Sequence, residues 1–321
     1  MRNIWLDGIM GVVVGDALGL PVQFLEREEL DANPVTDMIG YRTFNLPEGT
    51  WSDDSSLTLA TLQSILDNDK IDAQDIMENF ADWLVDGKFT PFGQSFDQGQ
   101  TCVRAITKYN MNNDIERCGV TGEWANGNGA LMRIMPICLY AYEKVKQEIW
   151  TDTEAIDQVH KISSLTHNHL RSQIACGIYY FLVKAILDEE GNFKERMQIG
   201  MNHATSFYHN DVSNMVQLAY YSRIFDLDEF AKVPREDVKS SGYVVDSLEA
   251  AIWSILNETT FEGTALRAIN LGKDTDTVGA IACGLAGLYY GYQDIPAKWL
   301  NKIQRKEEIE KICIKGQDNQ K

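Results

Sequence analysis

Two stretches of this chain are apolar almost all the way round and carry glycine at helical intervals. In "GIMGVVVGDALG" the glycines are Gly8, Gly11, Gly15 and Gly19, three and four residues apart. That spacing lines four missing side chains along one helix face. The second stretch carries Gly279, Gly284, Gly287 and Gly291, with Ala280, Ala282 and Ala286 between them. Each interior glycine costs about 0.5–1 kcal/mol relative to alanine. A close approach of another backbone compensates that cost, so both stretches are expected at the centre of a tightly packed helical core.

The remaining pattern agrees with an all-α chain. Apolar residues recur at helical spacing over 3–18, 54–67, 73–85, 99–109, 129–148, 153–163, 169–188, 212–225, 244–257, 263–271 and 277–291. Alternation of period two is scarce. Pro136 falls inside the 129–148 pattern and is expected to kink it. No repeat or linker divides residues 1–321, which are expected to form a single domain with a charged, peripheral tail from about residue 305.

With 29 Lys and Arg against 47 Asp and Glu, the formal charge of −18 opposes non-specific binding to nucleic acid or anionic membrane. The six cysteines are scattered, without C-x-x-C or a nearby Cys/His pair, which argues against zinc and a disulfide scaffold and for a reduced, cytoplasmic setting. Asp7 and Asp16 interrupt the first apolar run, read here as a buried helix too short and too charged to span a membrane.

Two acidic clusters carry the chemistry. "GTWSDDSSLTLA" places Ser52, Asp53 and Asp54 at the start of an apolar helix, and "GKDTDTVGAIACG" places Asp274, Asp276 and Thr277 at the start of another. Gly272 supplies a turn before the second, after which Asp276 or Thr277 can serve as N-cap. Carboxylates at helix starts are ordinary caps, favoured by free N–H groups and the helix dipole. If the two starts converge, however, four carboxylates and two hydroxyls meet. Such like charges repel unless something cationic holds them. Hard oxygen donors without His or Cys suit Mg²⁺, Mn²⁺ or Ca²⁺.

The remaining motifs are weaker alone. In "NGNGALMR", Gly127 and Gly129 let a ligand approach the backbone, although a lone G-x-G also makes plain turns. Asp97 in "FDQGQT" reads as a solvated turn residue, and His167 in "LTHNH" as a residue capping a helix end. Asp274 to Val278 also fit a D-x-D-x-[TV] phosphatase signature. That motif belongs after a strand near the chain start, whereas a helical pattern precedes it here and only about 45 residues follow. An EF-hand loop fails for want of later acidic ligands.

Taken in order, "GVVVGDALGLPVQF", "GTWSDDSSLTL", "FDQGQT", "NGNGALMRIMPI", "THNH" and "GKDTDTVGAIACGLAGLYYG" resemble the ADP-ribosylglycohydrolases, including the dinitrogenase reductase-activating glycohydrolase. The resemblance runs the length of the chain and implies an all-α orthogonal helical bundle, with a binuclear metal site where helix N-termini converge. It implies two Mg²⁺ (or Mn²⁺) ions on Ser52, Asp53, Asp54, Asp274, Asp276 and Thr277, with Ser52 standing where threonine is more usual. Asp97 would be the general acid/base, with Asp54 and Asp276 beside it in catalysis. Asn126, Gly127, Asn128, Gly129 and His167 would bind ADP-ribose, with Gln23 hydrogen-bonding the acceptor or the distal ribose, and Met132 and Arg133 as scaffold. The reaction implied is hydrolysis of the bond from ADP-ribose to an acceptor, reversing mono-ADP-ribosylation of a protein or a small molecule, with nucleic-acid-linked ADP-ribose also open. Gln23 stands where many members carry an acid, which leaves an ADP-ribose-binding or toxin-occluding protein as the alternative. Trp51, Trp124 and Tyr208 are candidates for stacking adenine, each more in keeping with the core.

Overall fold

Gly15 and Gly279 meet. A Cβ built on Gly279 would lie 2.5 Å from the Gly15 carbonyl oxygen, and one on Gly15 would overlap the Gly279 backbone. The glycine stripe of the first helix therefore lies on that of the second: the close backbone approach is the one the spacing predicts, and the structure supplies the partner.

The computed structural model describes residues 2–318. The sixteen α-helices among them are α1 (Ile4–Gly19), α2 (Arg27–Ala32), α3 (Asp53–Asn68), α4 (Ala73–Asp86), α5 (Gln100–Asn112), α6 (Met135–Lys146), α7 (Asp152–Ser164) and α8 (Leu170–Asp188), followed by α9 (Phe193–Tyr208), α10 (Val212–Leu218), α11 (Leu227–Phe230), α12 (Val244–Leu256), α13 (Phe261–Ile269), α14 (Thr275–Tyr290), α15 (Ala297–Leu300) and α16 (Lys306–Asp318). No strand occurs among the described residues, only isolated bridges pairing Val120 with His167 and Gly127 with Tyr243. The buried apolar side chains form one cluster running from Trp5 to Cys313. The pair α1 and α14 sits at its centre, with α3, α6, α8, α12 and α13 around it.

Several expectations change. Pro136 lies in the first turn of α6, where its missing N–H is harmless, so it starts a helix and kinks none. A 3₁₀ turn over Leu131–Arg133 takes the front of the pattern read at 129–148. The tail is not peripheral: α16 packs on α1 and α3, with Ile309 and Cys313 buried and Gly316 against the Trp5 ring. By length and composition, Ile4–Val22 and Leu170–Asp188 could each cross a bilayer, so the first run is not too short. Here 89% and 78% of those windows are buried inside the fold.

Candidate active site

The first turn of α3 is held by a residue of α1. Both oxygens of Asp16 accept from the Ser52 backbone N–H at 2.9 Å, and Oδ2 also accepts from the Ser55 N–H (3.0 Å) and hydroxyl (2.5 Å). Ser52 is the N-cap of α3, its hydroxyl accepting from the Asp54 N–H. Asp53 and Asp54 are thereby fixed, buried, at the open end of the helix. A Cβ on Gly19 would overlap the Asp276 backbone. The end of α1 thus rests against the start of α14.

The loop into α14 is bent and braced. Gly272 and Lys273 both have positive φ, +81° and +65°. Phe24 N–H donates to the Lys273 carbonyl (2.7 Å) and Lys273 N–H to that of Leu25 (2.8 Å), tying the Gln23 segment to this loop. Asp274, not Asp276 or Thr277, occupies the N-cap position. Its carboxylate makes no cap bond and instead accepts from Asn128 Nδ2 at 2.6 Å.

The two acidic clusters converge. Thr277 Oγ1 donates to Asp54 Oδ2 at 3.3 Å, across 223 residues of sequence. Carboxylate oxygens of Asp16, Asp54 and Asp276 all lie within 4.8 Å of one another, in a group that could hold a metal ion. Asp54 Oδ1 and Asp276 Oδ2 are buried and have no hydrogen-bond partner. Burial and mutual repulsion push Asp53, Asp54 and Asp276 well above the usual carboxylate range. Burial takes Asp16 only to about 6, because four hydrogen bonds oppose it. A hard divalent cation fits these donors, since it would satisfy the bare oxygens and cancel the repulsion.

Above the cluster opens a cavity of about 360 Å³, whose wall includes Gln23, Asp53, Asp97, Asp274, Thr277 and His167. Asp97 takes a left-handed backbone (φ +51°), uncommon outside glycine. Its carboxyl, raised by burial, lies within hydrogen-bonding reach of Asp276 and the Gln23 amide. Asp274 has the same two neighbours. The Gln23 amide thus lies beside both Asp97 and Asp274, and its buried Oε1 has no partner.

Gly127, Asn128 and Gly129 also line the cavity, together with Met132. Asn126 stands behind the wall, its amide donating to the Glu123 carbonyl and accepting from Ser172. Of the candidate stacking rings, Trp51 and Tyr208 are core residues, whereas Trp124 is 92% exposed and belongs to no core. Asp16 had gone unremarked as a site residue. Its signal was an acid, one of two, inside a helix otherwise apolar on all sides.

Helix termini thus bring paired carboxylates together beneath a cavity on an all-α scaffold, the architecture of a protein able to seat a metal ion beside a bound ligand. The model of the ADP-ribosylglycohydrolase family matches residues 3–319, and the chain belongs to that family. It is 30% identical to the ADP-ribosyl-[dinitrogen reductase] glycohydrolase of Rhodospirillum rubrum, over 95% of this chain and 92% of that one. It is 29% identical to the ADP-ribosylarginine hydrolase Tri1 of Serratia proteamaculans, over 95% and 76%. A solved ADP-ribosylglycohydrolase-related protein complex superposes with a TM-score of 0.79 at 28% identity, covering 99% of this chain and 98% of that one. The protein is thus an enzyme of the class that cleaves ADP-ribose linkages.

Proposed function

We propose that the enzyme is Mg²⁺-dependent and removes single ADP-ribose groups from an acceptor, with Mn²⁺ as an alternative ion. The observation that carries this is the pair of buried, unpartnered oxygens, Asp54 Oδ1 and Asp276 Oδ2, in one carboxylate group. Uncompensated carboxylates in the interior are strongly destabilising, which argues against a purely structural role. Ser52, Asp53, Asp54, Asp274, Asp276 and Thr277 would hold one or two ions. Bound there, a divalent ion supplies a lowered water pKa and alignment of the ribose hydroxyls.

The chain's own residues supply the rest. Asp97, raised by burial and half open to the cavity, holds a proton for the leaving group or accepts one from the attacking water. Gln23 shares the cavity wall with Asp97 and Asp274. Gly127 and Gly129 leave space for the diphosphate, and His167 contacts it. Arginine is the acceptor in the name of the Serratia relative, and an arginine-linked substrate is the first to test. All six cysteines are free and buried, in keeping with a reducing, cytoplasmic setting.

The test is release of ADP-ribose from arginine-, serine- and nucleobase-linked substrates, with Mg²⁺ and with chelator. Magnesium-dependent release from at least one supports the proposal. Tight ADP-ribose binding without release from any would establish the binding-protein alternative.

A further inference from the structure

Arg133 is fully buried, and among the described residues no carboxylate pairs with it. Its Nε and Nη1 have no hydrogen-bond partner, and its guanidinium lies 4.6 Å from the centre of the Phe80 ring. Taking a cation out of water without a counter-ion is costly, so packing alone is a poor reason to keep it.

Its remaining nitrogen has a directed task. Arg133 Nη2 donates to Thr166 Oγ1 at 2.8 Å and, at 3.3 Å, to the Ile162 carbonyl. A guanidinium can only donate. Thr166 Oγ1 is therefore the acceptor in that bond, and its single proton must go elsewhere. Cys102 competes poorly for it, since a thiol sulfur is only a weak acceptor and its own proton is directed at the Gly129 carbonyl, 4.0 Å away. The acceptor that remains is His167 Nδ1, 2.8 Å from the same hydroxyl. Burial, with Arg133 nearby, pushes the His167 ring down to about 3, so it carries one proton only.

We infer that Arg133 and Thr166 are positioning residues that lock His167 in its neutral Nε2–H tautomer, so that a hydrogen-bond donor faces the cavity between Gly127 and Gly129. A Cβ on Gly127 would lie 3.3 Å from Nε2, and one on Gly129 2.9 Å from Cε1, so glycine at both keeps the ring edge open. The cavity wall carries Asp53, Asp97 and Asp274 but neither lysine nor arginine. A neutral donor there serves an anionic oxygen, such as that of a phosphate, without setting a second cation against a metal ion. The inference rests on the reading of the cavity as an ADP-ribose site, but its first test does not.

The chain has five histidines, so long-range ¹H–¹⁵N spectra of ¹⁵N-histidine protein can resolve each ring, with His167 assigned from a His167→Gln sample. Wild-type protein should show His167 as Nε2–H alone. Thr166→Val removes the hydroxyl at nearly equal volume. It should give a tautomer mixture and raise KM about ten-fold, with kcat changed much less. Thr166→Ser should restore both. An Nδ1–H ring in wild-type protein, or an unchanged tautomer in Thr166→Val, overturns the inference even if hydrolysis is robust. The expected spectra in a protein that releases no ADP-ribose would leave it standing and defeat the proposed reaction instead.

Discussion

At the scale of the residue, the site trades stability for chemistry. Asp276 is wholly buried, with Oδ2 unpartnered and four other carboxylates raising its pKa. Asp276→Asn should therefore raise the melting temperature of metal-free protein while lowering kcat by about a hundred-fold or more. Thermal melts in chelator and single-turnover assays in Mg²⁺ read the two effects separately. Near-normal turnover would remove Asp276 from the mechanism. Gln23→Glu adds a charge beside Asp97 and Asp274. It should melt earlier than wild type in chelator and turn over more slowly. A large gain in turnover would mean that the amide impairs the native site. Asp53, Asp54, Asp274 and Asp276 stand out in the sequence because two clusters of the same make-up, paired acids with hydroxyls, each open a very apolar helix within a series of motifs that resembles the family. Asp16 does not, since one acid in a hydrophobic run shows nothing of the three donors it serves.

At the scale of the element, the helices with the most aliphatic buried surface were the readily legible ones. The helices α1, α8, α12 and α14 bury most of their surface and could be read from composition and period. The helix α9 was missed because its buried side is a narrow line of Phe193, Met197, Gly200, Met201, Ala204 and Tyr208, poor in branched aliphatics. Its capping box, Asn192 with Glu195, was the signal available. In α16 a dense charge pattern hid Ile309 and Cys313. Convergence of α3 with α14 could not be read at all, because no local pattern encodes which helix ends meet. The contact between α1 and α14 carries its own prediction. Gly15→Val forces side-chain atoms into the Gly279 backbone and should destabilise the protein by about 3 kcal/mol or more, or prevent folding. Soluble yield and denaturant midpoint check it, and a midpoint near wild type would show that the two helices can separate cheaply.

At the scale of the whole molecule, acidity works against the fold away from the site as well. Burial lifts Glu143 from 4.5 to about 7, against the opposing bond from Trp5 Nε1. A carboxyl with a raised folded pKa makes the native state bind more protons than the unfolded chain between those values. Stability is then lost as pH rises from about 4.5 through about 7. Glu143→Gln should flatten that slope, adding on the order of 1–2 kcal/mol near pH 8 and little near pH 4.5. Melting curves at both ends decide it, and an equal shift at both would mean that titration is not the cause. The central helix pair has a different bearing. Where two helices meet backbone to backbone, as at Gly15 and Gly279, no rotamer or side-chain volume sets the gap at that point. The offset of Asp16 from Asp276 is thus fixed like the jaws of a gauge, so the cavity rim can diversify around new acceptors while the ion's seat keeps its dimensions.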